Sequence, residues 1–197
     1  MIESRVSAIM LAAGASRRMG GRDKLLLEYE GKTLLQRAVE LLDNLHVFER
    51  ILVTTKARLE KSVVPASIHV VISCFSEEGQ SGSLRQGLEM AAGDRYLFLM
   101  ADQPLLTLAG LQPLLELSEK NIDKIVFPSV RGKPCTPSLF PARFREALMS
   151  LTGDMGGRAI RKAYPEACLT FEAENPNDFL DIDSEEEYRS LSQLHWG

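Results

Sequence analysis

Residues 11–24 of this chain read LAAGASRRMGGRDK. Gly14, Gly20 and Gly21 allow a loop whose backbone N–H groups turn outward, and such groups favour anions. Arg17, Arg18 and Lys24 add up to three positive charges, and a guanidinium can grip phosphate oxygens in pairs. A triphosphate suits such a loop; the plainer alternative is a solvated basic turn. Two standard phosphate loops are excluded by spacing. GxxxxGK[ST] would need glycine where Met19 stands and Ser or Thr where Leu25 follows Lys24. GxGxxG would need glycine where Ser16 stands.

Carboxylates supply the complementary chemistry. Asp102 stands in ADQP, directly after the apolar run Tyr96–Ala101. A carboxylate at a strand end can hold Mg²⁺ against a nucleotide phosphate, because Mg²⁺ takes few protein oxygens and keeps several waters. The alternative is an Asx-turn before proline. In DID, alternation places Asp181 and Asp183 on one side of an extended segment, and either can complete a metal site. Asp183 followed by Ser184 is also good helix-capping chemistry. In EGQSGSLRQGL, the small residues Ser81 and Ser83 precede or open a helix and offer a close-fitting polar surface to a sugar or a base edge. TGDMGGR, Thr152–Arg158, combines Asp154, two glycines and Arg158 in a second loop suited to phosphate or a polar ring. Cys135, in KPCTPSLF, has no histidine near it in sequence. His46, His69 and His195 fall at a helix end, in a strand and near the C-terminus, so Cys135 reads as structural.

The elements that must position these residues follow from periodicity. Val6–Ala12, Arg50–Thr55, Ile68–Ser73, Tyr96–Ala101, Lys124–Phe127 and Cys168–Phe171 read as strands, and Tyr96–Ala101 as one covered on both faces. Thr33-x-x-Gln36 is a capping-box pattern, followed by Leu34, Leu35, Ala38, Leu41, Leu42 and Leu45 at helical spacing. Ser83-x-x-Gln86 predicts another capped helix to about Ala92. Further helices are predicted over Thr107–Lys120, Ala142–Ser150 and Gly156–Ala163. Ser184-x-x-Glu187 opens a last one with three acidic residues in its first turn. Pro128–Pro141, with four prolines, reads as loop or at most an edge hairpin. Strands alternating with helices predict a single α/β/α domain over residues 1–197, with a mostly parallel, Rossmann-like sheet. Ligands in such sheets bind beyond the carboxyl ends of the strands, where Gly14 and Asp102 fall.

Composition narrows the class. The 197 residues carry a net charge of −4, and the pI is about 5.5, which disfavours nucleic acid as a general partner but not a single nucleotide. The N-terminus lacks the features of a secretory signal, and no apolar stretch approaches the ~20 residues a membrane span needs. Three widely spaced cysteines without a CxxC pair argue against a disulfide framework and a zinc site. A cytoplasmic setting is the simplest expectation.

Taken in order, LAAGASRRMGGRDK, GQSGSLRQGL, ADQP, RGKPCTPSLFP, TGDMGGR and DIDSEEEY resemble the nucleotidyltransferases that attach a nucleotide to molybdopterin. The likeness spans about residues 5–190 and is greatest to the molybdenum cofactor cytidylyltransferases, MobA/MocA-like proteins that serve molybdenum hydroxylases. The resemblance implies a three-layer fold like that of nucleotide-diphospho-sugar transferases. It implies transfer of CMP from CTP to the terminal phosphate of a molybdopterin-type cofactor, with Mg²⁺ and release of pyrophosphate, and a molybdenum hydroxylase apoenzyme as a possible partner. Residue by residue, the Leu11, Ala12, Ala13 and Gly14 backbone would seat the base. Arg18 and Lys24 would hold the triphosphate, Asp102 would hold the metal, and Asp183 rather than Asp181 would be its second contact. Guanylyl-transferring relatives carry LAGG where this chain has LAAG; the extra methyl of Ala13 would stand where a purine needs room, favouring CTP. Cys135-Thr136-Pro137 departs from the glycine-histidine-proline of many members, which bears on the acceptor. Two other readings remain open: a GTP-using or sugar-phosphate nucleotidyltransferase, and a non-catalytic carrier that delivers the cofactor.

Overall fold

The computed structural model describes residues 5–14, 19, 22–73 and 79–193. Arg17, Arg18, Gly20, Gly21, Cys74 and His195 lie outside the described residues. In chain order the elements are β1 (Val6–Ala12), β2 (Glu28–Tyr29), β3 (Lys32–Thr33), α1 (Leu34–Asp43), β4 (Glu49–Thr54), α2 (Lys56–Leu59), β5 (His69–Ile72), α3 (Gly79–Met90), β6 (Arg95–Met100), α4 (Leu108–Lys120), β7 (Ile125–Val130), β8 (Lys133–Pro134), β9 (Ser138–Pro141), α5 (Arg145–Met149), α6 (Gly157–Ala163), β10 (Cys168–Glu172) and α7 (Glu185–Gln193).

Eight strands form one sheet in the order β10-β7-β9-β6-β1-β4-β5, with β8 paired to β7; β2 and β3 make a separate hairpin. The pairs β1–β4, β1–β6, β4–β5 and β7–β10 are parallel. The sheet is mixed because β9 runs antiparallel between β6 and β7. Every residue of β1 is buried, and its side chains divide between two cores. Val6, Ala8, Met10 and Ala12 face α1 and α4, while Ile9, Leu11 and Ala13 face α3, α5 and α6. This two-sided burial explains an unbroken apolar run, since a strand covered on both faces has no solvent side to alternate with. Each fully buried Leu or Ile contributes roughly 1.5–3 kcal/mol. The helices flanking the sheet on both faces make the three-layer α/β arrangement.

Local signals place most of the helices. The Thr33 hydroxyl accepts from the Gln36 N–H at 3.1 Å and the Gln36 side chain accepts from the Thr33 N–H at 2.8 Å, so the capping box forms. Thr107 caps α4 through the Gly110 N–H at 3.0 Å. Ser184 and Glu187 cap α7 reciprocally, at 3.2 and 2.8 Å.

Two expectations are corrected. Ser83 caps nothing: α3 already begins at Gly79, so Ser83 lies in its second turn, and it is buried. The helix starts at Gly79 rather than at the Leu84 a Ser83 cap implies, and the Ser81 N–H finds its partner in the Gly153 carbonyl, 3.1 Å away, a contact that short-range pattern cannot reveal. Pro128–Pro141 is an edge hairpin only in part: the exposed β8 pairs with β7 alone, but the segment does not stop there. It ends β7, forms β8 and supplies β9, whose four residues are all buried in the middle of the sheet. Proline removes a donor but keeps its carbonyl, and the Pro128 C=O accepts from the Cys135 N–H at 3.0 Å.

Candidate active site

At the carboxyl ends of β1 and β6 the Lys24 ammonium donates to Asp102 Oδ2 at 2.6 Å and to Asp183 Oδ1 at 2.8 Å. Lys24 and Asp102 are largely buried there, with 14% and 13% of their side chains exposed, whereas Asp183 is 47% exposed. Three residues far apart in sequence thus converge on one point.

Each is held by its own neighbourhood. The Ile182 N–H donates to the Asp102 carbonyl at 2.9 Å, which ties the DID segment to the end of β6. Ile182 is fully buried; alternation then turns Asp181 and Asp183 away from the core, as the spacing predicts. Glu187 Oε2 accepts from the N–H groups of both Asp183 and Ser184, at 2.8 Å each, so the cap of α7 also fixes Asp183. Lys24 opens a short 3₁₀ turn whose cap is Asp23, through the Leu25 N–H at 3.1 Å.

Charge is unevenly distributed in this cluster. Burial alone would lower the Lys24 pKa, but the charge of Asp102 and the hydrogen bonds to Asp102 and Asp183 outweigh it, and the net shift is upward. Lys24 is therefore an ammonium at neutral pH. Asp181 has an outer surface open to solvent, yet the surrounding protein strips water from its charged form. That crowding, followed by the like charges of Asp102 and Asp183, pushes its pKa up to about 7.

These residues suit a hard divalent cation. Asp102 Oδ1 is buried and has no hydrogen-bond partner among the described residues, a costly state for a carboxylate oxygen that a cation would relieve. Its other oxygen and Asp183 Oδ1 already converge on one positive charge. Among the described residues no group of three or more His, Cys, Asp or Glu makes a closed metal cage. Mg²⁺ takes few protein oxygens and keeps several waters, so two carboxylates are enough to hold it.

The structure distributes the other expected residues as follows. Leu11 lies one residue before the end of β1, beside β6, its carbonyl accepting from the Ala101 N–H at 3.2 Å. Gly14 has no unusual φ, is exposed, and a Cβ there would meet nothing within 4 Å among the described residues. Ala13 is 2% exposed, and its methyl belongs to the core on the α3 face. Ser81 and Ser83 are buried inside α3, with 0% and 5% exposed. Arg18 lies outside the described residues.

The two glycine-containing segments prove to be one surface. Gly79 has φ +70°, and a Cβ on it would lie 2.7 Å from Gly153 backbone atoms and collide with the Asp154 carboxylate. A Cβ on Gly156 would reach Gln80 at 2.5 Å. Gln80 in turn contacts Met100 Sδ at 3.5 Å, at the end of β6. Residues 152–157 therefore pack on the start of α3, which points at the carboxyl edge of the sheet. Asp154 sits at a helix N-terminus, as the macrodipole favours. Arg158 is exposed.

Two contributors carried no sequence signal. Arg58, in what reads as an ordinary surface turn, is 4% exposed and joins Asp23 to the carbonyls of Ala12 and Gly14. Gln103 is buried beside Asp102 and donates to the Thr136 carbonyl and hydroxyl at 3.2 and 3.0 Å. It thereby brings the Cys135-Thr136-Pro137 loop, with its cis Thr136–Pro137 bond, to the site. The Cys135 thiol is pushed up to about 11, by burial first and then by the charge of Asp181. It stays protonated and is no nucleophile. The Arg161 guanidinium holds the Cys135 carbonyl at 2.7 Å.

Comparison with known proteins places this geometry among relatives. The profile of the MobA-like NTP transferase domain matches residues 8–168. A molybdenum cofactor guanylyltransferase from Vibrio atlanticus is 25% identical, covering 98% of this chain and 99% of its own. A nicotine blue oxidoreductase from Paenarthrobacter nicotinovorans is 27% identical, covering 94% and 96%. Among solved structures, Rv0371c from Mycobacterium tuberculosis H37Rv superposes with a TM-score of 0.80 at 22% identity, covering 98% of this chain and 100% of that one. The same protein has been solved in complex with manganese, at a TM-score of 0.73 and 20% identity over 96% and 99% of the two chains. At these identities the structures establish the fold. Among the described residues no helix is long and apolar enough to cross a membrane.

Proposed function

Since this chain belongs to the MobA-like NTP transferase family, we propose that it joins CMP from CTP to the terminal phosphate of a molybdopterin-type cofactor and releases pyrophosphate. The observation that carries the reading is Lys24 bridging Asp102 and Asp183 at the strand ends. A carrier has no need of two carboxylates converging where a triphosphate would sit. The names of relatives do not decide the chemistry, since one is an oxidoreductase. Choice of CTP rests on the LAAG segment, and more weakly than the sequence suggests. A buried Ala13 methyl cannot touch a base; it can act only by filling space beneath it.

In the reaction an oxygen of the acceptor phosphate forms a bond to the α-phosphorus, and the bond from that phosphorus to the α–β bridging oxygen breaks. Pyrophosphate takes the electron pair. The acceptor is already an anion at neutral pH, so no general base is required. The protein's work is to align two anions and to neutralise charge on the leaving group. Lys24, moved from its carboxylates to the triphosphate, supplies one fixed positive charge, and Arg18 a second. The backbone of Leu11–Gly14 and the start of α3 form the walls for base and sugar. Asp102 and Asp183 would hold Mg²⁺, which when bound supplies further positive charge to the phosphate oxygens. A molybdenum hydroxylase apoenzyme is the natural recipient of the product.

The test is pyrophosphate release with Mg²⁺, purified molybdopterin-type cofactor, and CTP, GTP, ATP or UTP separately. Release with CTP alone is the expected result. Release with GTP would keep the transfer and overturn the base. Silence with this acceptor and turnover with a sugar phosphate would replace the acceptor. Silence with every phosphate, while nucleotide still binds, would favour the carrier.

A further inference from the structure

Arg58 belongs to none of the motifs that carry the nucleotidyl-transfer reading, yet it is among the most completely bonded charged side chains in the described structure. Its Nε donates to Asp23 Oδ2 at 2.7 Å, and one terminal nitrogen donates to the Ala12 carbonyl at 2.6 Å. The other terminal nitrogen donates to the Gly14 carbonyl at 2.9 Å and to Asp23 Oδ1 at 2.8 Å. The side chain is 4% exposed. Its own backbone is anchored in turn. The Arg58 N–H donates to the Thr55 hydroxyl at 3.3 Å, and its carbonyl accepts from the Ser62 hydroxyl at 2.9 Å.

We propose that Arg58 is the positioning residue of the nucleotide loop, clamping its two ends, Ala12–Gly14 and Asp23, so that the backbone seat and Lys24 face one ligand. The inference rests on reading that loop as the nucleotide seat. A counter-charge for Asp23 would need only the carboxylate contacts. Two of the four hydrogen bonds go instead to carbonyls at the end of β1. A peptide unit is planar and trans. Holding the Ala12 carbonyl on the β4 side, where the Thr54 hydroxyl also reaches it at 3.4 Å, turns the Ala13 N–H to the opposite side, toward β6 and Asp102. The same guanidinium fixes Asp23, which caps the turn that starts at Lys24. One planar fork thus fixes both borders, Ala12–Gly14 and Asp23, relative to each other. Lysine, a single point of charge, cannot span three acceptors in this way.

The experiment is calorimetric titration of CTP and of GTP, each with Mg²⁺, into wild type and into Arg58→Lys, Arg58→Ala, Asp23→Asn and the Arg58→Ala/Asp23→Asn double variant. Melting curves confirm that each is folded at the assay temperature. Nucleotide affinity is expected to fall about ten-fold or more in each single variant, including the charge-preserving Arg58→Lys. The acceptor KM is expected to stay within about two-fold, and the double variant to be little worse than Arg58→Ala, because both act through one contact. Wild-type nucleotide affinity in folded variants overturns the inference, and so does an equal loss for nucleotide and acceptor. If the Arg58 variants do not fold, Asp23→Asn decides by the same readout. A wild type that binds neither nucleotide overturns the reading of the loop and this inference with it, whereas binding that the variants leave unchanged overturns the inference alone.

Discussion

A lysine ammonium between two carboxylates occupies the place a divalent cation would contest. With Lys24 at 2.6 and 2.8 Å from Asp102 and Asp183, a metal entering nucleotide-free protein must displace it or share its ligands. Lys24→Met is therefore expected to bind Mn²⁺ more tightly than wild type without nucleotide, as read by electron paramagnetic resonance. It should also lose on the order of 10²–10³ in pyrophosphate release, the usual effect of removing one charge stabiliser. Unchanged Mn²⁺ affinity would mean that the lysine and the metal do not compete. Asp102→Ala should keep the far-ultraviolet circular dichroism of the wild type and lose metal-dependent turnover. Retained turnover would remove Asp102 from the reaction. Lys24 and Asp102 were legible as candidates from residue type and position after an apolar run. Arg58 was not, because TTKARLE looks the same whether its arginine points to solvent or into the protein.

The elements that carry the site depend on contacts between segments. Gly79 starts α3 at φ +70°, and a Cβ on it would lie 2.7 Å from the Gly153 backbone. Gly79→Ala should cost about 1–3 kcal/mol from the φ alone, with overpacking added. The loss should appear as a lower denaturation midpoint in urea and as weaker nucleotide binding; a change in neither would contradict the packing of residues 152–157 on α3. At the far edge of the sheet, Glu172 accepts from the Ser129 hydroxyl at 2.7 Å and from the N–H groups of Arg131 and Gly132, pinning the β7–β8 turn. The Ser129 bond, ahead of the two backbone bonds, holds its carboxyl below the usual carboxylate range. A depressed pKa means stability that is present above the unfolded value and is lost as pH falls through the folded one. Glu172→Gln should melt below wild type at pH 7, and the gap should close once pH falls below the folded pKa. A gap independent of pH would assign the effect to shape rather than charge.

At the scale of the molecule, one sheet separates two apolar cores, and the antiparallel β9 is the piece that joins its halves. Phe140 on β9 is fully buried, lies edge-on to Phe98 at 5.9 Å, and would meet a Cβ on Gly157 at 2.8 Å. Phe140→Ala should therefore cost about 3–5 kcal/mol through the cavity it leaves. The loss should appear in a single cooperative unfolding transition, because strands from both sides of β9 share the same sheet. Separate transitions for the two halves would show that β9 does not couple them.

What the sequence by itself determined is local or periodic. Apolar runs became strands, capping boxes at Thr33 and Ser184 became helix starts, and the strand–helix alternation became a three-layer α/β fold, because each depends on residues a few positions apart. It also placed Gly14 and Asp102 at strand ends, since parallel topology puts those ends on one edge. Only the tertiary structure decided the rest. It brought Lys24, Asp102 and Asp183 onto one point through the Ile182–Asp102 backbone bond, and made residues 79–83 and 152–157 a single surface. It turned the Ala13 methyl into the core, buried Arg58 against Asp23 and the Ala12 and Gly14 carbonyls, and slid a proline-bearing strand into the middle of the sheet. Each of these is a contact between residues distant in sequence, and no short-range pattern records which distant partner a carbonyl, a carboxylate or a missing side chain will meet.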